Sequence, residues 1–208
     1  MLTPEQAQDV FDAVNVQATA RVRAFVDYPF PYEALDFRLR ALTLRDIATL
    51  QFAGCGFFCA NNAAVETSDA LAVLWYLSDA YAPTVRAQKR FAKRLVRKFG
   101  EAEIISAARA FIDEMLLDSG SWTLRGADTE KPDAKKPRPP HYSETAVLVA
   151  RLAAAYHWSE SEILSLPLPR VWQYYHLAAS AKDAEYNWEQ YSEFLYRKYL
   201  FLNRKNNG

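Results

Sequence analysis

An all-α fold is what this sequence predicts, and three observations predict it. Apolar residues recur at three- and four-residue spacing along most of the chain, the signature of amphipathic helices. These stretches open on capping signals and close on Gly or Pro. One long break, from Asp118 to Pro140, is polar and charged and carries four prolines among its last nine residues. Such a segment cannot bury enough apolar surface to offset its ordering entropy. The expected organisation is an irregular multi-helix N-terminal unit over residues 1–117, a Pro-rich charged linker over 118–142 and a small helical C-terminal unit over 143–208. The last is near the lower size limit for independent stability.

The elements follow in order. Thr3-Pro4-Glu5-Gln6 is a capping box with proline at the first helical position, so a helix is expected from Pro4 to about Phe25. Its Val10, Phe11, Val14, Ala18 and Val22 predict one packed face. Tyr28-Pro-Phe-Pro-Tyr32 ends it, because residues before proline avoid the helical region. Thr43 caps a helix to about Phe52, stopped by Gly54 and Gly56. Phe57-Phe58-Cys59 reads as a short extended piece or a loop, Asn61-Asn62 as a turn, and Thr67 or Ser68 as the cap of a helix to Leu77. A helix from Pro83 to Phe99 ends at Gly100, and Glu101 to Leu117 forms the next, with acids in its first turn.

Beyond the linker, Ser143 restarts a helix to about Tyr156, and Ser159 with Glu162 makes a second capping box. Pro167 and Pro169 then punctuate, and two helices, about 169–182 and 184–201, complete the chain.

Composition narrows the function classes. The formal net charge is zero, which gives nucleic acid or anionic membrane no global attraction. No apolar run approaches the roughly 20 residues that span a bilayer, and no basic segment precedes an apolar run at the N-terminus. A cytoplasmic protein is expected, with no membrane partner. Cys55 and Cys59 lack both the spacing of a redox motif and a second ligand pair, so buried thiols are expected rather than zinc or a disulfide. Phosphate loops, a paired-histidine helix and a serine nucleophile elbow are missing. His157 and His176 flank a proline break, where structural hydrogen bonding is the ordinary role of histidine. No catalytic, cofactor-binding or metal-ligating residue is therefore expected, and the chain reads as a non-enzyme.

Two features point to partners. Between Arg86 and Lys98 the sequence carries seven positive charges and no acid: Arg86, Lys89, Arg90, Lys93, Arg94, Arg97 and Lys98. At about 100° per residue they occupy the side opposite Phe91, Leu95, Val96 and Phe99. Such a face is either solvated and paired with acidic neighbours or a docking strip for an acidic helix or phosphate backbone. Without a nucleic-acid motif, a protein partner ranks above DNA. The second feature is aromatic. Trp158 and Trp172 flank the proline break with Tyr174 and Tyr175, as an interhelix clasp or a pocket. Trp188 and Tyr191, with Tyr186, Phe194 and Tyr199, load the last helix with more aromatics than one buried stripe needs; they pack into the core or, where they encircle the helix, meet a partner, which fits self-association or wrapping around an extended client.

The segment from Tyr156 to Trp172, Tyr-His-Trp-Ser-Glu-Ser-Glu-Ile-Leu-Ser-Leu-Pro-Leu-Pro-Arg-Val-Trp, resembles the helix-turn-helix cores of small proteins from the tail-assembly region of long-tailed phages and prophages. Leu42 to Leu50, then Gly54 to Phe58 and Leu71 to Ser78, resemble another part of such proteins. The first 40 residues match no such pattern. The resemblance implies a tail assembly chaperone, which keeps a long helical tape measure protein soluble. The competing readings are a structural virion component, such as a connector or minor tail protein, and a nucleic-acid-binding regulator that uses the basic helix.

Overall fold

A computed structural model describes residues 3–58, 65–120, 144–180 and 189–206. Among them are nine helices and one antiparallel hairpin: α1 (Pro4–Val26), β1 (Tyr32–Ala34), β2 (Phe37–Leu39), α2 (Leu44–Phe52), α3 (Thr67–Leu77), α4 (Val85–Phe99), α5 (Glu101–Gly120), α6 (Glu144–Tyr156), α7 (Glu160–Ser165), α8 (Leu168–Ser180) and α9 (Glu189–Asn206). The all-α expectation holds at the level of class. The hairpin pairs Tyr32 with Leu39 and Ala34 with Phe37. It was not expected, because three-residue strands are too short to show a period in the sequence.

The capping boxes form as their spacing dictates. Thr3 N–H donates to Gln6 Oε1 (3.0 Å) and Gln6 N–H to Thr3 Oγ1 (3.3 Å). Ser159 and Glu162 repeat the exchange at 2.8 and 3.3 Å, and the bonds from Ser159 hold the Glu162 carboxyl below its ordinary pKa. Glu66, rather than Thr67 or Ser68, takes the N-cap position of α3, its N–H donating to Asp69 Oδ2 at 3.0 Å. Residues 56–58 are turns instead of an extended piece, and Cys59 lies outside the described residues with the Asn61-Asn62 turn.

One apolar core gathers residues from both sides of the proline-rich stretch. Leu39, Leu42, Leu44, Leu74 and Leu77 meet Ile104, Phe111, Leu152, Ile163, Leu168 and Val171, all within 2% of full burial. Cys55 is buried in it as a thiol, its Sγ 3.8 Å from the Asp69 carbonyl oxygen. The backbone adds a tie: Leu168 N–H donates to the Leu42 carbonyl (2.6 Å), and Thr43 bridges to Pro167. The two stretches that carry the tail-protein resemblance therefore touch. α5 continues to Gly120, three residues into the linker expected over 118–142, and residues 121–143 lie outside the description. At the C-terminal end α9 runs on to Asn206, past the expected stop near Phe201.

The largest departure concerns α1. The face expected to pack is open: Val10 is 52% exposed, Phe11 60%, Val14 58% and Val22 61%. The physical reason is that α1 meets α9 through a different face. Ala24 is buried against Leu195 in a small second cluster with Tyr28, flanked by Phe30 and Tyr199. Arg21 sits 3.6 Å from Glu193 and over the Tyr196 ring at 5.2 Å. Arg170 of α8 closes the end of the helix by donating to the carbonyls of Phe25 and Val26, the latter at 3.1 Å.

Candidate protein-docking face

The basic helix is positioned from its buried side. Thr84 Oγ1 accepts from Ala87 N–H (3.2 Å) to start α4, and Leu95 is buried against the core. The Phe91 ring lies 5.3 Å from Phe37 and 4.9 Å from Trp75, centroid to centroid. Gly100 ends the helix at φ 76° and ψ 166°, a region that glycine alone occupies without strain, and so turns the chain sharply into α5. With that side fixed, the charged side must face out.

All seven expected basic residues are exposed, and they divide into two groups. Lys98 forms an ion pair with Asp36, and Arg94 lies 4.0 Å from the same carboxylate. Asp36 stands at the tip of the hairpin, where the preceding Leu35 takes φ +56°, unusual for a bulky side chain. The other five, Arg86, Lys89, Arg90, Lys93 and Arg97, fall within an arc of about 100° of the helix circumference. They form a strip about 16 Å long at 1.5 Å rise per residue. Val85, Arg86, Lys89, Arg90 and Lys93 line one shallow, open concavity. Val85 is 67% exposed beside it, so the strip offers apolar contact as well as charge. Asp36 escaped the sequence reading because its partners stand about 60 residues away in the chain, and no local pattern announces such a pairing.

The aromatic candidates behave differently. Trp158 is half-buried, stacked on Tyr156 at 4.7 Å and edge-on to Tyr174 at 4.9 Å. Tyr156 Oη donates to the Tyr174 carbonyl at 2.9 Å, and burial, then the neighbouring Tyr174, pushes the Tyr156 hydroxyl above its ordinary pKa. Trp172 is also half-buried, edge-on to Tyr175 at 5.8 Å and tilted against a buried His176. Both tryptophans pack against the main core, in the arrangement of an interhelix clasp. Exposed His157 takes φ +58° at the end of α6, where its N–H donates to the Ala153 carbonyl (2.9 Å). That is a helix-terminating conformation. Trp188 lies outside the described residues, and Tyr191 is placed on α9 by its backbone alone.

A second concavity of about 810 Å³ lies between residues 27–33 and the end of α9. At its base Lys198 pairs with Glu114 and lies 5.2 Å from the Tyr28 ring centroid. Burial pushes the Lys198 amine down to about 8, against the pull of the adjacent carboxylate.

Among the described residues, no cluster of three or more His, Cys, Asp or Glu could hold a metal ion, and no helix is long and apolar enough to cross a membrane. No protein-family model matches the chain, and no curated protein or solved structure does.

Proposed function

We propose that this chain is a protein-binding factor that docks an acidic helical partner along α4. The observation that carries this reading is the five-residue basic strip, exposed on one arc of a helix whose other side is fixed in the core. Arg86, Lys89 or Arg90, Lys93 and Arg97 recur every three to four residues, the spacing at which a second helix presents a row of carboxylates. Charge arranged this way adds orientation and rate of encounter more than raw affinity, and the exposed valine beside it adds desolvation. A chain of zero net charge with one basic strip suits a local protein contact better than a nucleic acid, which rewards charge spread over many phosphates.

The finer reading comes from the tail-protein resemblance. The chain acts in phage or prophage tail assembly, in the bacterial cytoplasm, and keeps a long helical tape measure protein soluble. The test is recovery of the tagged full-length protein from a phage-producing host, with identification of what co-purifies. A long helical tail protein is expected, and it is lost when Arg86, Lys89, Arg90 and Arg97 are changed to Glu. Recovery of nucleic acid alone overturns the reading in favour of a regulator. Presence of the chain in finished particles overturns it in favour of a virion component.

A further inference from the structure

The first half of α1 presents a row of carboxylates. Glu5, Asp9 and Asp12 stand at positions i, i+4 and i+7, within an arc of about 60° on the side opposite the apolar stripe. No basic side chain precedes Arg21, so the charged side chains of this half are all acidic. Every described side chain from Glu5 to Thr19 is exposed, because α9 meets only the second half of the helix, at Arg21 and Ala24. Val16, 69% exposed, continues the same side one turn beyond Asp12.

The α4 strip is its complement. Taken backwards along α4, Lys93, Lys89 and Arg86 repeat the spacing i, i+4, i+7 within an arc of about 60°. Each row is about 10 Å long. Laid antiparallel, the two helices oppose their dipoles and set Glu5 by Lys93, Asp9 by Lys89 and Asp12 by Arg86. The same register brings Val16 toward Val85, the exposed apolar residue beside the strip. A parallel pairing, with Arg86, Arg90 and Lys93, matches the charges but aligns the dipoles and carries Val16 away from Val85. Both rows are exposed and so do not meet within one chain. The carboxylates that fill the strip then come from another copy, and zero net charge leaves no overall repulsion between copies.

We propose that the acidic helix docked on α4 is the first half of α1 from a second copy of this chain. The inference rests on the reading of α4 as a docking face for an acidic helix, and names the occupant. The two contact faces differ, so copies pair reciprocally or head to tail, and either arrangement raises the mass above that of one chain. A client helix that binds the strip does so by displacing α1.

The test is the mass of the full-length protein across a range of concentrations, by sedimentation equilibrium or light scattering, at low salt and with salt added. An oligomer that dissociates as salt rises is expected, because exposed ion pairs are screened. Glu5→Lys, Asp9→Lys and Asp12→Lys combined should raise its dissociation constant at least about tenfold, and so should Arg86→Glu, Lys89→Glu and Lys93→Glu combined. All six side chains are exposed, so folding is not at risk. Mixing the two variants sets the reversed α1 of one against the reversed α4 of the other, and the unchanged faces against each other, so association should return. An oligomer indifferent to either triple change, or no association in the mixture, overturns the proposal. A protein that stays monomeric at low salt yet binds a Glu-rich helical peptide through Arg86, Lys89 and Lys93 overturns it and leaves the α4 docking face standing. One that does neither overturns both.

Discussion

The Arg40 guanidinium grips both oxygens of the Asp46 carboxylate, Nη1 to Oδ2 at 2.5 Å and Nη2 to Oδ1 at 2.9 Å. The same carboxylate accepts from the Thr43 N–H at 3.0 Å and from its hydroxyl at 2.8 Å, so one buried acid both caps α2 and fixes the strand that precedes it. Arg40 N–H in turn donates to the Leu77 carbonyl, which carries the tie to the end of α3. Asp46→Ala should destabilise the protein by about 2–3 kcal/mol, less than a fully buried pair because Arg40 is half in solvent. Chemical denaturation measures this.

A pH dependence follows from the same carboxylate. Burial alone would raise its pKa, but the bonds from Arg40 and Thr43 outweigh burial and hold it below the 3.8 of an unperturbed group. A carboxyl depressed in the folded state contributes stability above its unfolded pKa and loses it as pH falls through the folded one. Wild-type stability should therefore decline below about pH 4, and Asp46→Asn should flatten that part of the profile. An unchanged acid limb in the variant would show that Asp46 is not the group responsible.

What the sequence disclosed and what it withheld separate along local and non-local lines. Thr3 with Gln6, Thr43 and Ser159 with Glu162 marked their helices within a residue or two, because a capping box is complete within four residues. The basic strip was equally visible, since helical spacing alone places Arg86 to Arg97 on one side. Burial of the α1 stripe is not in the sequence, because periodicity shows that a helix has an apolar face and not what lies against it. Asp36 was silent for the related reason that Arg94 and Lys98 reach it only in the fold.

Gly100 gives a backbone prediction. An added Cβ would meet nothing within 4 Å, so any cost of Gly100→Ala comes from the dihedrals, φ 76° and ψ 166°, and not from a clash. That region costs a non-glycine residue about 1–3 kcal/mol. A loss in that range on thermal or urea unfolding is expected, with no change in the packing of Leu95. A neutral substitution would mean that the α4 to α5 corner relaxes to other angles.

His157 should behave in the opposite sense. It is exposed and holds φ +58° at the end of α6, the position where glycine is ordinarily found. Relief of left-handed strain, about 1–2 kcal/mol, exceeds the entropy that glycine adds to the unfolded chain, about 0.5–1 kcal/mol. His157→Gly should thus raise stability by about 0.5–1 kcal/mol. A drop in stability would instead assign the imidazole a contact worth more than the backbone strain.

The division of α4 into paired and open cations predicts two distinguishable classes of variant. Arg86, Lys89, Arg90 and Arg97 are exposed, and changing them singly to Glu should move stability by no more than about 0.5 kcal/mol. Together they should abolish binding of a Glu-rich helical peptide, which in the wild type should weaken steeply with added salt as screening shortens to about 10 Å at 0.1 M. Asp36→Asn does the reverse. It costs at most about 1 kcal/mol, the ordinary worth of an exposed ion pair, and releases Lys98 and Arg94 toward the strip. Peptide affinity should then rise, with a steeper dependence on salt. Titration calorimetry at several salt concentrations reads both effects. If Asp36→Asn leaves affinity unchanged while the strip variants abolish it, the hairpin carboxylate holds α4 in place without tuning its charge.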